Sequence, residues 1–450
     1  DVDTASYANV RQFLVQSHQL PPADAVRVEE LVNYFPYDYS PPTDDAPFAA
    51  HVESAGCPWN AQHRLVRIGV KGRELLREKR PQSNLVFLID VSGSMNEPAK
   101  LPLLVHGMKR LARQLGENDR VAIVVYASSQ GLALPSTPGT KQQEILAALD
   151  RLRAGGSTAG GAGVQLAYQI AADHFVEGGV NRVVLCTDGD FNVGVTSNAE
   201  LERMAEKRAK ETGVFLTVLG FGRGNLNDAM MEKISGKGNG NYYYVDNQSE
   251  AEKVLVAEMT GTLVTIAKDV KIQVDFNPAE VAGYRLIGYA NRLLNKEDFK
   301  DDAKDAGEIG AGHTVTALYE VVPAGEQVET PQVDESKYVS PAALRPDAAS
   351  TGELLTLKIR YKQPDADEGV ELEFPVTDGG QKFAQSSDDF QFAAAVAAFG
   401  MLLRDSPYAG DATLAGVREI AESAAKNRDP HGYRAEFVSL VERAEEIRGE

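Results

Sequence analysis

Cysteine is almost missing from this chain. Cys57 and Cys186 are the only two in 450 residues, which excludes a disulfide framework. Cys186 lies inside an apolar run and reads as a small buried hydrophobe. Long apolar runs are lacking too. The longest, Phe392 to Leu403, has 12 residues, short of the ~20 a membrane helix needs, so no membrane span is expected. Positive charge is in deficit: 46 Lys and Arg stand against 65 Asp and Glu, a formal charge of −19 with no local basic patch. Such a chain repels phosphate backbones, so no nucleic-acid partner is expected. The seven histidines are scattered, without HExxH or similar zinc spacing. P-loop, nucleophile elbow, Ser–His–Asp signal and internal repeat are all lacking. What is present is ordinary: 43% hydrophobic and 25% charged residues exclude a disordered chain, a collagen or a coiled-coil rod. The chain starts at Asp1 rather than at methionine, which points to an upstream segment that was removed.

The hydrophobic pattern changes period along the chain. Residues 1–43 read as a helical segment, with Tyr7, Val10 and Leu14 on one face and Val28, Leu31, Val32 and Phe35 on another. Two strands follow, Phe48 to Ser54 and His63 to Val70. From 84 to 261 short apolar runs alternate with helical stretches. The runs are Leu85 to Asp90, Val121 to Tyr126, Arg182 to Thr187, Val214 to Leu219 and Tyr242 to Val245. That pattern predicts a doubly wound α/β fold, its mostly parallel sheet covered on both faces.

After Leu263 the period returns to two. Five strands are expected, at Val270 to Phe276, Arg285 to Tyr289, Val315 to Val322, Leu355 to Tyr361 and Val370 to Val376. With the two earlier strands they make seven, enough for an antiparallel β-sandwich. The expectation is a discontinuous sandwich, residues 44–83 plus 262–377, with the α/β domain inserted into it. The acidic run Lys296 to Glu308 reads as a solvated loop, since Ala303 stands where a calcium loop needs a ligand. Residues 385–450 form a C-terminal helical segment with stripes led by Phe392, Leu414 and Phe437.

One constellation carries chemistry. The apolar run from Leu85 ends at Asp90, and Ser92 and Ser94 follow at alternate positions. In an open parallel sheet ligands bind just beyond the carboxyl ends of the strands. Hard oxygens at this spacing suit a small hard cation, Mg²⁺ first. A Gly-rich stretch, Gly155 to Gly161, offers the hydroxyl of Thr158, and a second apolar run ends at Asp188 before Gly189. Parallel strands place all three loops on one edge of the sheet. Bland readings stand beside this one. Asp90 and Ser92 can cap a helix, and Asp188-Gly189 can be a plain turn. Asp190 and Asn192 fit the rim of the site or simple turn chemistry. Gly220-x-Gly222-x-Gly224 lacks dinucleotide spacing and reads as a loop.

Asp90-x-Ser92-x-Ser94, Thr158 and Asp188 together resemble the metal-ion-dependent adhesion site of von Willebrand factor type A domains. The flanks Asp3 to Val10, Val32 to Tyr37 and Asp388-Asp389-Phe390 are similar to those of the bacterial YfbK-type branch. The resemblance implies a von Willebrand A, Rossmann-like fold for 84–261. It implies Ser92, Ser94 and Thr158 as hydroxyl ligands and Asp90 and Asp188 as carboxylates acting directly or through water. Mg²⁺, Mn²⁺ or Ca²⁺ would be the ion. It further implies a protein exported to the cell envelope, periplasmic or lipid-anchored as a lipoprotein through the removed N-terminus.

A first shell rich in neutral hydroxyls leaves the ion much of its charge, and an open position then attracts a carboxylate of a partner protein. The leading expectation is therefore a metal-dependent binding protein rather than an enzyme. Two alternatives stay open. One is a metal-assisted hydrolase or phosphoryl transferase, which needs a base or second acid near Asp90. The other is a scaffold whose metal site no longer functions.

Overall fold

The structure is a computed structural model that describes residues 3–75, 80–127, 130–156, 161–189, 198–222, 228–258, 264–289, 293, 296–302, 306–328, 351–364, 366–426 and 429–449. Two short helices open the chain, α1 (Ala5–Arg11) and α2 (Val28–Asn33), before two long strands, β1 (Phe48–Cys57) and β2 (Asn60–Gly72). The α/β region follows: β3 (Ser83–Asp90), α3 (Leu101–Ala112), β4 (Asp119–Tyr126), β5 (Gln130–Pro138), α4 (Gln142–Arg151), α5 (Gly161–Asp173), β6 (Val180–Thr187), α6 (Asn198–Thr212), β7 (Phe215–Phe221), α7 (Asp228–Lys237), β8 (Tyr242–Val245) and α8 (Gln248–Glu252). Six more strands come next: β9 (Thr265–Phe276), β10 (Val281–Leu286), β11 (Gly307–Gly310), β12 (Thr314–Pro323), β13 (Leu355–Lys362) and β14 (Gly369–Val376). Three helices end the chain, α9 (Asp388–Leu403), α10 (Leu414–Ala425) and α11 (Tyr433–Arg448).

The contacts divide the chain into two compact units. One comprises Asp1–Asn9, Glu74–Thr265 and Gly310–His313, the other Val10–Arg73, Ile266–Ile309 and Thr314–Glu450. The first unit is built on a six-stranded sheet of order β5-β4-β3-β6-β7-β8. All eight residues of β3 are buried, as expected of a central strand with helices on both faces. Alternation sorts its side chains between two cores. Leu85, Phe87 and Ile89 pack with Leu104, Met108 and Leu149 on one face. Val86 and Leu88 pack with Val164, Tyr168 and Met231 on the other. Each such Leu or Phe contributes ~1.5–3 kcal/mol by leaving water. Ala5 and Ala8 of α1 join the second core, and the amide of Tyr242 donates to Asp3 Oδ1 at 2.8 Å. Four of the strand pairs are parallel, and β4–β5 is antiparallel. The sequence pattern overlooks β5 because Pro135 and Pro138 interrupt it, which an edge strand tolerates.

The second unit is a sandwich of two four-stranded antiparallel sheets, β1-β2-β12-β10 and β11-β9-β13-β14. Phe48, Val66, Ile68 and Val70 of the first sheet meet Ala267, Leu355, Leu357 and Ile359 of the second in one core. Gly69 sits under the ring of Tyr39, where a Cβ would stand 2.2 Å from Tyr39 Cζ. The apolar stripe of α9 proves wider than one face, with nearly every residue from Phe390 to Leu403 buried. The rings of Phe35, Phe392 and Phe437 meet edge to face at 4.9–5.6 Å.

Two expectations need correction here. The strand expected at Arg285 to Tyr289 lies instead at Val281–Leu286, where it pairs with β12. Gly288 and Tyr289 take φ of 80° and 61°, which ends extended backbone there. The acidic run from Lys296 is exposed at Lys300, Asp301 and Asp302, as expected of a solvated segment, but its described residues are not a plain loop throughout. Lys296–Lys300 forms a 3₁₀ turn with Phe299 buried, Asp302 pairs with Arg360 at 2.8 Å, and Glu308 lies in β11.

Candidate metal centre

The site forms where the sheet changes direction. From β3 the chain order runs outward through β4 on one side and through β6 on the other, so the carboxyl ends of β3 and β6 flank a topological switch point, where open α/β sheets place their ligands. Parallel register sets Ile89 opposite Cys186 and Asp90 opposite Tyr126. Asp90 is thus the last strand residue, and Asp188 stands one step beyond the end of β6.

Backbone hydrogen bonds tie the loops to one another. The amide of Val91 donates to Tyr126 O at 3.0 Å, that of Gly155 to Val91 O at 2.7 Å, and that of Gly93 to Gly156 O at 3.0 Å. The Gly-rich loop is therefore anchored against the Asp90–Ser94 segment through Gly155 and Gly156. Thr158 lies outside the described residues, as do Asp190, Asn192 and Gly224. Met95 is fully buried and anchors the segment from beneath.

Polarity is graded from floor to rim. Asp90 is fully buried, Ser92 is buried and Ser94 is exposed. Asp90 Oδ1 accepts from the Ser92 amide at 2.7 Å, and the Ser92 and Ser94 hydroxyls are 3.0 Å apart. The other oxygen, Asp90 Oδ2, is buried without a hydrogen bond of good geometry, although the Tyr126 hydroxyl lies near the carboxyl. Burial pushes the Asp90 carboxyl up to about 6, and the charge of Asp188 adds to that rise, while hydrogen bonding from Ser92 and from the Tyr126 hydroxyl opposes it. A buried carboxylate oxygen without a donor is costly unless something positive faces it.

Lys100 supplies one positive group nearby. Its Nζ donates to Asp188 Oδ2 at 3.1 Å and to Ser94 O at 3.0 Å, and Glu97 Oε1 lies 3.3 Å away. Burial pulls this ammonium down, but the hydrogen bond and charge of Asp188, with help from Glu97, outweigh it and hold it above its ordinary range. Its stem passes Gly222, which has φ of 94°. A Cβ there would meet Lys100 Cε at 2.4 Å. Sequence reasoning did not single out Lys100, because one lysine among 46 basic residues carries no motif of its own.

The donor set is two carboxylates and two hydroxyls from two loops, all hard oxygens, which fits a divalent cation such as Mg²⁺. Among the described residues no three His, Cys, Asp or Glu side chains gather, so the fit rests on the hydroxyls as much as on the acids.

Family comparisons agree with this architecture. Residues 84–257 match the family model "von Willebrand factor type A domain", residues 1–67 match "von Willebrand factor", and residues 261–447 match "Uncharacterized protein YfbK, C-terminal". Escherichia coli K12 YfbK is 47% identical over 454 residues, covering 99% of this chain and 77% of YfbK. The chain belongs to the YfbK family. Its central region is thus a von Willebrand A domain, and the YfbK-type C-terminal region accounts for the later strands and helices. A more distant relative, sll0103 of Synechocystis, is 29% identical over 199 residues, 44% of this chain and 45% of that protein. Among solved structures, a von Willebrand factor type A protein from Catenulispora acidiphila aligns over 88% of this chain and 89% of its own, with 16% identity and a TM-score of 0.47.

Proposed function

We propose that this YfbK-family protein is a divalent-metal-dependent binding protein that grips an acidic residue of a protein partner. Asp90, Ser92, Ser94, Thr158 and Asp188 hold the ion. The observation that carries this reading is the fully buried Asp90 carboxyl, one oxygen of which lacks a well-formed hydrogen bond, with the Ser92 and Ser94 hydroxyls 3.0 Å apart and the charge of Asp188 near it at the switch point of the sheet. Membership of a family with a von Willebrand A domain supports it.

The chain's own residues divide the work. Asp90 and Ser92 form the floor, Ser94 the exposed rim, and Asp188 the wall from the neighbouring strand. A hard divalent ion bound there wants more oxygens than these side chains supply, so an oxygen from outside, a partner's carboxylate among them, completes its shell. Mg²⁺ is the first candidate, then Mn²⁺ or Ca²⁺. The role is recognition rather than catalysis. We further propose that 84–261 is the binding module, carried by the sandwich of 44–83 and 262–377 between helical segments 1–43 and 385–450. We propose an envelope location on the family resemblance. No helix among the described residues is long and apolar enough to cross a membrane.

Partner binding tests the reading. Immobilised protein in Mg²⁺ should retain a partner from a lysate of the native organism and release it in chelator. Thr158→Ala should retain at least tenfold less, with an unchanged melting profile. Replacing the contacting Asp or Glu of the captured partner by its amide should abolish retention, because a neutral oxygen compensates the ion poorly. Equal retention in chelator would show that the partner docks away from Asp90.

A further inference from the structure

Lys100 does more than fill space at this edge of the sheet. Its ammonium is held by both loops that bear the candidate ligands, through Ser94 O at 3.0 Å and Asp188 Oδ2 at 3.1 Å. The Lys100 and Asp188 side chains are only 9% and 2% exposed, so the pair is shielded from solvent screening. Glu97 lies three residues back on the exposed side, with its side chain 58% accessible and an oxygen already 3.3 Å from Nζ. Lys100 therefore has two acidic neighbours, one inside the site and one at the surface. Gly222 leaves the corridor through which the stem runs.

We infer that Lys100 is a built-in stand-in cation for the metal. It neutralises Asp188 while no divalent ion is bound, and it moves outward to Glu97 when an ion takes over that carboxylate. The inference rests on the metal reading above and adds regulation to it. Two cations compete for one carboxylate, so Lys100 raises the ion concentration at which the site fills. With the ion bound, an ammonium left at 3.1 Å from Asp188 Oδ2 would repel it, which drives the exchange. The exchange also frees the Ser94 carbonyl, so metal binding loosens a backbone contact at the rim where a partner would dock. Lys100 is a positioning residue in this account, acting through Asp188 and Ser94.

Calorimetric titration of Mg²⁺ and Mn²⁺ into the metal-stripped full chain tests this, with melting temperature as a second readout. Lys100→Gln should bind the ion about tenfold more tightly than the native protein. Lys100→Arg, which keeps the charge, should not. Metal-free Lys100→Gln should melt lower, since the buried Lys100–Asp188 ion pair is lost, and saturating Mg²⁺ should restore it to the native, Mg²⁺-bound value. If Lys100→Gln does not accumulate folded, Lys100→Met, which keeps an unbranched stem beside Gly222, takes its place. Native protein that binds an ion lost in Asp90→Ala, with Lys100→Gln binding equally or more weakly, would overturn the stand-in role and leave the metal site intact. A stability loss that Mg²⁺ does not restore would mark Lys100 as structural and overturn it as well. Absence of ion uptake in every protein would overturn the metal site itself, and the stand-in role with it.

Discussion

Asp90→Asn should make the metal-free protein more heat-stable at neutral pH and at the same time abolish its response to Mg²⁺. In the folded chain the Asp90 carboxyl is pushed up to about 6, against 3.8 for the free side chain, chiefly by burial. Between those pH values the folded state holds this proton more tightly than the unfolded state does. Stability from this group is therefore lost as pH rises from about 4 to about 6, and the full penalty, about 2–3 kcal/mol, is present above that. Asn removes the charge while its carbonyl still accepts from the Ser92 amide. A gain of about 2 kcal/mol corresponds to about 4–8 °C in the melting temperature. Mg²⁺ should raise the native melting temperature and leave that of Asp90→Asn unchanged. Melting curves at pH 5 and pH 8, with and without Mg²⁺, check both parts. A metal-free variant that melts below the native protein at pH 8 would show that Asp90 is satisfied in some other way.

The largest loss of stability is expected from Asp389→Ala. Asp389 opens α9 and is 4% exposed, and Arg434 of α11 is 3% exposed. Asp389 Oδ1 accepts from Arg434 Nη2 at 2.6 Å, while Oδ2 accepts from the Asp38 amide at 2.7 Å. The guanidinium also lies over the ring of Phe392 at 4.5 Å and donates to Pro36 O at 3.3 Å. One carboxylate thus joins α9, α11 and the linker after α2. Removing it strands a buried guanidinium and an amide, which should cost about 3–5 kcal/mol. Replacing both members, Asp389→Leu with Arg434→Met, should cost less than the single change, because no uncompensated charge remains. Chemical denaturation of the three variants measures this. A double variant as unstable as Asp389→Ala would mean that shape rather than charge holds the three elements together.

How far residues reveal structure differs between the regions for physical reasons. The central strand was legible because burial on both faces writes an unbroken apolar run, Leu85 to Ile89, with the polar group Asp90 only at its end. That the segments after Asp90 and Asp188 come to one edge was legible because parallel strands bring their carboxyl ends together, whatever lies between them in sequence. Strand β5 was not, since its prolines hide the pattern, and strand β10 was displaced because its pairing with β12 starts at Val281. The Lys100 contact was invisible because it spans 88 positions, to Asp188, which no local spacing encodes. The docking of Ala5 and Ala8 into the α/β core is a long-range fact of the same kind.

Direct titration of metal ion tests the central claim most plainly. Mg²⁺ or Mn²⁺ added by calorimetry to the chelator-stripped full chain should reveal a single site in the native protein. Asp90→Ala should show none, and Thr158→Ala should show a weaker site or none. A native chain that gives neither heat nor a thermal shift with either ion would contradict a metal site built on Asp90, Ser92, Ser94, Thr158 and Asp188.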